Sequence, residues 1–387
     1  MERTAAFFYN DINKYEIENF ESGGKKMKRK VIASLLALTM VLGMGACATA
    51  GSAEKEAAKD GGSAEAGDSN DLITVGFSQV GAESDWRTAN TDSMKSTFSE
   101  ENGYKLIFDD AQQKQENQIT AIRNFIQQEV DYIVLAPVTE TGWDTVLQEA
   151  KDNDIPVIIV DRMVEVSDDS LFTGWVGSNF KLEGQKAVAW LDAFLEASGR
   201  GEEEINIVDI QGTIGASAQI GRTEGLEEGI EAHDNWNLLA QQSGEFTQAK
   251  GQEVMESILK QHGDDVDVVY CENDNEAFGA IDAITAAGKT IGTKEGEIMV
   301  MSFDTTSAGL KDTLDGKIAL DTECNPLHGP RVQELIEKLE AGEEIEKLTY
   351  VDETMFATDD TVTSVKVDDK DYEVTPITQD IIDSRAY

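Results

Sequence analysis

Apolar residues along this chain of 387 residues recur with two different spacings. Short runs of strand-forming residues alternate with segments in which apolar residues return every three or four positions, as Ile119, Ile122 and Ile126 do, which is typical of one buried helix face. The pattern predicts strands over 73–77, 106–108, 132–135 and 157–160, and helices over 88–101, 116–128 and 145–152. Strands and helices that alternate in this way indicate a parallel sheet covered on both faces.

A second series of the same kind starts at Leu171. It predicts strands over 171–176, 205–210, 238–242, 266–270 and 298–303, and helices over 182–196, 218–232, 250–261 and 276–287. A strand over 318–322, a helix over 330–340 and a strand over 348–351 follow. Two consecutive halves of similar size predict a bilobed α/β protein with a cleft between the lobes.

The first seventy residues have a different composition. A basic cluster over 25–30 precedes an apolar run over 31–42 and small residues that lead to Cys47, which is the order of a secretory signal. The apolar run is shorter than the about 20 residues needed to span a bilayer. The small residues before Cys47 resemble a bacterial lipobox, so we predict a lipoprotein signal peptide over 27–47 with lipidation at Cys47. A plain cleaved signal with a spare thiol is the alternative.

The segments on either side of this signal carry separate predictions. Residues 1–26 have no place in a signal of this shape, whereas a start at Met27 gives one of ordinary form, so we interpret 1–26 as an upstream extension. Residues 48–71 consist mainly of Ala, Gly, Ser, Glu, Lys and Asp. Such a segment buries too little apolar surface to fold, so we predict a flexible linker there.

The net charge and the small number of cysteines and histidines argue against several classes of function. A formal net charge of −43 at pH 7 makes nucleic acid and anionic membrane surfaces poor partners for the folded body. The three cysteines, Cys47, Cys271 and Cys324, form no Cys-x-x-Cys pair, and the three histidines match no metal-binding spacing. We therefore predict no metal and no cofactor. Cys271 and Cys324 are interpreted as small buried residues, with a disulfide as the alternative.

Polar and charged residues follow several of the predicted strands, where an open parallel sheet exposes side chains to a crevice. They are Glu83, Ser84, Asp85, Trp86 and Arg87, then Asp161 and Arg162, and finally Arg222, Asn273 and Asp304. Carboxylates that accept hydrogen bonds and guanidinium or amide groups that donate them suit a ligand with many hydroxyls. Trp86 or Phe246 can cover the apolar face of a sugar ring. Each residue alone is better explained as a helix cap or an ion pair; their recurrence at strand ends favours a ligand cleft.

Signals for catalysis are weak. Gly288-Lys-Thr290 resembles the end of a phosphate-binding loop, but Ala283 stands where the leading glycine belongs, and the segment follows a helix rather than a strand. Gly215-Ala-Ser217-Ala lacks the second glycine of a nucleophile elbow. We predict that the protein is not an enzyme. A secreted glycosidase, which needs two carboxylates facing one glycosidic bond, is the alternative from the enzyme class.

Longer motifs resemble one family. They are Gly76-Phe-Ser-Gln-Val-Gly81, Gln112-Gln-Lys-Gln-Glu-Asn-Gln118, Ala136-Pro-Val-Thr-Glu-Thr-Gly-Trp143, Gln211-Gly-Thr-Ile-Gly-Ala-Ser217 and Ser243-Gly-Glu-Phe-Thr247. With the strand-end residues they resemble, over residues 72–358, the ribose-binding-like solute receptors of bacterial ATP-binding-cassette sugar importers, in particular galactofuranose-binding members. The resemblance implies the type I periplasmic binding protein fold: two doubly wound parallel-sheet lobes, joined by three crossovers, that close on one sugar. The implied lobes are 72–175 with 324–347, and 176–323 with 348–387.

The same resemblance implies site residues. Sugar contacts are expected from Glu83, Trp86, Arg87, Asp161, Arg162, Arg222, Asn273 and Asp304, with Phe246 lining the cleft. Ser84 and Asp85 are added because they lie in the same loop. Asp85 stands where the galactofuranose-binding members have glycine, so it is the first place to expect a shifted sugar preference. Glu323 or Asn325 is the expected contact from a crossover.

The resemblance also implies a role in the cell. We expect an exported monomer, lipid-anchored on the outer face of the cytoplasmic membrane and periplasmic in a Gram-negative cell. It would capture a monosaccharide such as galactofuranose and deliver it to the permease subunits of an importer, touching the membrane through its lipid alone. The alternative is a receptor lipoprotein that presents a sugar or signal molecule to a sensor kinase or chemoreceptor.

Overall fold

The computed structural model describes residues 72–387. The predicted extension over 1–26, the lipoprotein signal with Cys47 and the linker over 48–71 lie outside the described residues. None of the helices in the described range is both long and apolar enough to cross a membrane.

Strands and α-helices alternate through most of the described chain, as the spacing of apolar residues predicts. In chain order they are β1 (Ile73–Gln79), α1 (Asp85–Thr97), β2 (Tyr104–Asp110), α2 (Gln115–Gln127), β3 (Tyr132–Leu135), α3 (Asp144–Asp152), β4 (Val157–Val160), β5 (Gly174–Gly177), α4 (Phe180–Ala197), β6 (Ile205–Gln211), α5 (Ser217–Ala232), β7 (Trp236–Ser243), α6 (Gln248–His262), β8 (Val268–Cys271), α7 (Asp274–Ala286), β9 (Met299–Asp304), α8 (Ser307–Leu314), β10 (Leu320–Glu323), α9 (Gly329–Glu340), β11 (Leu348–Tyr350), β12 (Met355–Ala357), β13 (Ser364–Val367), β14 (Lys370–Pro376) and α10 (Gln379–Ser384). The sequence pattern does not predict α8, α10 or β12 to β14.

Two sheets organise these elements. The first has the strand order β11-β5-β4-β3-β1-β2, and all its strand pairs are parallel. The second has the order β13-β14-β12-β10-β9-β8-β6-β7 and is parallel from β7 to β10, with β12 antiparallel to β10. The predicted α/β fold with two parallel-sheet lobes is therefore confirmed.

Two strands at the predicted lobe boundaries, β5, inside which the boundary after residue 175 falls, and β11, lie in the first sheet. The strand predicted over 171–176 opens the second series by its apolar spacing, yet β5 pairs with β4 in the first sheet. β11, which starts at the predicted boundary residue 348, pairs with β5 and also belongs to the first sheet. Strand pairing decides membership, and the apolar run of a buried parallel strand does not reveal its neighbour.

The chain passes between the two sheets three times: after β5, after β10 and after β11. We call these connections the first, second and third crossings. After the second crossing, α9 packs on the first sheet, where Val332 and Ile336 join Met94 of α1 in one apolar core. The expected three crossovers are thus present.

Each sheet buries an apolar core on both faces. In the first sheet, β3 and β4 read Tyr-Ile-Val-Leu and Val-Ile-Ile-Val and are fully buried. Because successive side chains of a strand point to opposite faces, Val134 joins the core under α1 and α9, while Ile133 joins the core with Phe125 of α2. These cores hold the ends of the strands in fixed positions.

The first helix begins earlier than its apolar spacing predicts. The prediction starts it at 88, but α1 starts at Asp85 because the Ser84 hydroxyl accepts a hydrogen bond from the Arg87 amide at 3.1 Å. Ser84 is therefore an N-cap, which satisfies an otherwise free amide of the first turn. Trp86 and Arg87, predicted in a loop, lie on a helix and are held rigidly.

Candidate functional site

The predicted site residues lie where the carboxyl ends of the two sheets face each other. Three of them, Asp161 after β4, Phe246 after β7 and Asp304 at the end of β9, have backbone φ of +64°, +60° and +109°. Residues other than glycine avoid this region because of steric conflict, and such conformations concentrate at functional sites. The chain thus holds a strained backbone at three points around one cleft.

In the first lobe, Arg87 is the centre of a buried ionic cluster. Its Nε lies 2.9 Å from Glu83 Oε1 and its Nη2 lies 2.7 Å from Asp161 Oδ2. Arg162 adds a second cation: its Nη1 donates to the Val138 carbonyl at 3.0 Å, and its Nη2 lies 3.7 Å from Glu83 Oε1. Two guanidinium groups therefore face two carboxylates, and direct contacts with one another and with the Val138 carbonyl hold them in place.

Burial and neighbouring charge shift the pKa values of this cluster in opposite directions. Burial alone would raise the pKa of Asp161, but the charges of Arg87 and Arg162 outweigh it and hold that pKa below its ordinary value. Burial, and next the repulsion from Arg87, lower the pKa of Arg162 to about 10. At neutral pH the carboxylate accepts hydrogen bonds and both arginines donate them.

In the second lobe, Arg222 is the centre of a corresponding buried ionic cluster. Its Nε lies 2.8 Å from Glu183 Oε2, its Nη2 lies 3.7 Å from Asp304 Oδ1, and its Nη1 donates to the Glu272 carbonyl. Burial raises the pKa of Asp304 well above its ordinary value, and Arg222 offsets this only in part. Of the two aspartates Asp161 and Asp304, Asp304 therefore has less of its burial cost offset by nearby positive charge.

Asn273 joins this half of the site through a helix cap. Its Oδ1 accepts from the Glu276 amide at 2.8 Å at the start of α7, and its Nδ2 donates to the Phe246 carbonyl at 3.2 Å. The Phe246 amide in turn donates to Glu276 Oε1 at 2.8 Å. The cap fixes the phenyl ring of Phe246 at the cleft.

Apolar side chains form the remaining wall. Trp86, Phe180, Ala218, Phe246 and Cys324 are buried together in one small cluster. The Trp86 indole donates from Nε1 to the Cys324 carbonyl at 2.6 Å. The Arg162 guanidinium lies over the Phe246 ring, 5.0 Å from its centroid, so the polar and apolar walls are in contact.

These groups line one cavity between the lobes. Its lining residues are Glu83, Ser84, Trp86, Arg87, Asp161, Arg162, Phe180, Ala218, Arg222, Phe246, Asn273, Asp304 and Cys324. The predicted site residues are therefore brought together, except for Asp85, Glu323 and Asn325.

The three exceptions have other partners. Asp85 is exposed, and its backbone amide donates to Asn275 Oδ1 at 3.1 Å, which joins the two lobes at the rim. Glu323 does not line the cavity because its Oε1 accepts from Arg385 and Tyr387 at 2.7 and 2.8 Å. The Asn325 side chain instead accepts from the Leu327 amide at 2.9 Å.

Sequence reasoning missed Phe180, Ala218 and Cys324 among the lining residues. Phe180 follows β5 by three residues, so the strand-end rule applied to that strand would have found it. Cys271 and Cys324 are buried and free, as predicted. Within residues 72–387, one group of side chains is spaced to hold a metal ion, namely Glu183, Cys324 and Glu353, whose donor atoms lie within 4.8 Å of one another.

Comparison with known proteins identifies the family. Residues 75–322 match the periplasmic binding protein domain family. The galactofuranose-binding protein YtfQ of Escherichia coli (strain K12) is 42% identical over 290 residues, which cover 74% of this chain and 88% of that protein. The chain belongs to the periplasmic binding protein domain family.

Solved structures of similar proteins agree. A Mycobacterium smegmatis protein in complex with β-D-fucofuranose is 43% identical, with a TM-score of 0.70 and coverage of 75% of this chain and 93% of that one. The binding component of the arabinose transporter of Shewanella sp. ANA-3, bound to α- and β-L-arabinofuranose, is 41% identical, with a TM-score of 0.69 and coverage of 74% and 93%. The two lobes and three crossings are the type I fold of periplasmic binding proteins.

The segment that matches the periplasmic binding protein domain contains nearly the whole cavity. Every lining residue lies within 75–322 except Cys324, which follows β10 on the second crossing. The site and the family assignment therefore rest on the same part of the chain.

Proposed function

We propose that this periplasmic binding protein captures a monosaccharide in its furanose form between its two lobes and delivers it to the permease of an ATP-binding-cassette importer. The observation that carries the proposal is the set of polar groups from both lobes that line one cavity, with Trp86, Phe180 and Phe246 as its apolar wall.

The chemistry of the lining suits a neutral polyol. A hydroxyl donates and accepts, so it can donate to a carboxylate of Glu83, Asp161 or Asp304 while it accepts from an arginine. Glu83 Oε2 is buried and accepts no hydrogen bond within the described residues, so it is available to a ligand hydroxyl. The aromatic rings can cover the apolar face of a sugar ring.

The furanose form is favoured by the ligands of the similar proteins. Galactofuranose, fucofuranose and arabinofuranose appear in the names of three relatives that are between 41% and 43% identical to this chain. They share a five-membered ring and differ at the exocyclic carbons. Galactofuranose is the first candidate for this chain.

Export and anchoring are part of the same proposal. The signal over 27–47, lipidation at Cys47 and the linker over 48–71 would place the lobes outside the cytoplasmic membrane on a tether. Lobe closure around a ligand, a known movement of periplasmic binding proteins, would then present one conformation to the permease. Metabolic labelling with palmitate tests the anchor: label is expected on the wild type and absent from Cys47→Ala.

Isothermal titration calorimetry tests the sugar. Galactofuranose, arabinose, ribose and galactose are titrated into the protein, and a furanose is expected to bind with a Kd of about 1 μM, or about −8 kcal/mol. A pyranose locked by methylation of its anomeric hydroxyl is the matched control and should give no heat. Absence of binding for every sugar of the panel would refute the proposed function.

A further inference from the structure

All three crossings between the lobes meet at one side chain, Glu353. Glu353 itself lies on the third crossing, between β11 and β12. Its Oε1 accepts from the Ser178 hydroxyl on the first crossing at 2.6 Å. The same oxygen accepts from the Asn325 amide on the second crossing at 2.8 Å. One carboxylate oxygen therefore links three segments that are distant in sequence.

The contacts of Glu353 continue into the candidate site through Cys324. The Ser178 hydroxyl lies 3.4 Å from Cys324 Sγ, and both residues are buried. The Cys324 carbonyl accepts from the Trp86 indole at 2.6 Å, and Cys324 and Trp86 both line the cavity. The path from Glu353 to the cavity wall thus consists of direct contacts.

The surroundings of Glu353, which is itself half-buried, are also charged. The Lys186 ammonium donates to the Glu353 backbone carbonyl at 3.2 Å. Glu183, which is paired with Arg222, has a carboxylate oxygen within 4.8 Å of Cys324 Sγ and of a Glu353 carboxylate oxygen. An acceptor in such surroundings makes stronger hydrogen bonds than one in water, and its removal leaves buried donors without partners.

We propose that Glu353 is a positioning residue of the ligand site: it sets the relative geometry of the three crossings and, through Cys324, the position of Trp86. It does not contact the ligand. Its carboxylate oxygen holds the ligand-competent arrangement of the lobes. This assignment depends on the proposed function only in one respect, namely that one of its tests measures sugar affinity.

The experiment compares Glu353→Ala with Glu353→Gln, which keeps an acceptor oxygen at the same place. We expect the alanine variant to raise the Kd for the sugar about tenfold or more, because the buried Ser178 hydroxyl and the half-buried Asn325 amide lose their acceptor. The glutamine variant should stay within about threefold of wild type. Glu149→Ala, which removes a surface ion pair with Arg123, is the matched control and should leave the Kd unchanged.

Two further measurements separate positioning from a general loss of stability. Ser178→Ala should add little to the effect of Glu353→Ala, since the two residues share one hydrogen bond and a double-mutant cycle would show them coupled. Small-angle X-ray scattering without any sugar should give a larger radius of gyration for Glu353→Ala than for wild type and for Glu353→Gln. That readout stands even if the panel sugars do not bind.

Three results would overturn the assignment. One is a Glu353→Ala variant with the Kd and the radius of gyration of wild type. Another is a cycle in which the Ser178 and Glu353 effects simply add. The third is a stoichiometric divalent ion in the purified protein that is lost in Cys324→Ser, because Glu183, Cys324 and Glu353 would then be metal ligands.

Discussion

The two lobes offer different electrostatic surroundings to the same ligand. In the first lobe, Arg87 and Arg162 face Glu83 and Asp161, so positive and negative groups are equal in number. In the second lobe, Arg222 alone stands between Glu183 and Asp304. The first cluster has equal numbers of acidic and basic groups, whereas the second has one more acidic group than basic groups.

The consequence is visible in the two aspartates at the strand ends. Arginine charge holds the pKa of Asp161 below its ordinary value, while burial raises the pKa of Asp304 well above it. Asp161 is thus part of a preformed ion-pair network, and Asp304 gains from any ligand hydroxyl that donates to it. The comparison indicates that the carboxylate of the first lobe is already compensated by arginine charge, whereas that of the second lobe has the more to gain from a ligand hydroxyl.

The largest effect is expected from Arg222→Ala. It removes the cation shared by Glu183 and Asp304, so sugar binding should become undetectable by calorimetry. Because breaking a buried ion pair leaves uncompensated charge, the free energy of unfolding should fall by about 3–5 kcal/mol in denaturant titration. Arg123→Ala, at an exposed pair, is the control and should cost less than about 1 kcal/mol. Retained binding would mean that the second lobe does not depend on its single cation.

Arg162→Ala should separate binding from stability. Its contacts to Glu83 and Asp161, at 3.7 and 4.0 Å, are longer than those of Arg87, so both carboxylates keep a close cation. We expect sugar binding to be lost while the free energy of unfolding falls by only about 1 kcal/mol. Calorimetry and denaturant titration of the same sample check this. A stability loss as large as that of Arg222→Ala would contradict the difference between the lobes.

Asp161→Asn and Asp304→Asn should change stability in opposite directions. An aspartate whose pKa is lowered on folding stabilises the protein above the unfolded-state pKa of about 3.9 and loses that contribution as the pH falls. Asp161→Asn should therefore be less stable than wild type at pH 7, with a gap that closes in acid. Asp304, whose pKa is raised, costs stability once the pH exceeds about 4, so Asp304→Asn should be the more stable protein at pH 7. Unfolding titrations from pH 2 to 8 check both signs and the closing of the Asp161→Asn gap in acid; equal signs at pH 7 would refute the comparison.

The smallest effect is expected from Asp85→Gly at the rim. Its side chain is exposed and outside the cavity, and its hydrogen bond to Asn275 uses the backbone amide, which glycine keeps. The Kd for each furanose should change by less than about twofold. His262 lies on the last turn of α6, far along the chain from these residues, so His262→Ala should leave the Kd for each furanose unchanged. A changed order of sugar affinities in Asp85→Gly would restore Asp85 as a specificity residue.

Much of the site could be predicted because its residues follow strands. Asp161 and Asp304 come directly after runs of buried residues and Asn273 two residues after one, and parallel strands place such residues at one edge. Glu323 also follows a strand, yet Arg385 and Tyr387, more than sixty residues away in sequence, occupy its carboxylate. No local pattern reveals a partner at that distance, so its assignment as a ligand contact could not be tested from sequence.

The spacing of apolar residues by itself determined the alternation of strands and helices, and the polar strand ends determined most of the cleft, because both depend on local periodicity. Tertiary structure alone decided which sheet receives β5 and β11, because strand pairing is a choice among distant partners. It also decided that Arg87 and Arg222 sit in unequal charge surroundings, and that Glu353 gathers the three crossings, since these contacts join residues that only folding brings together.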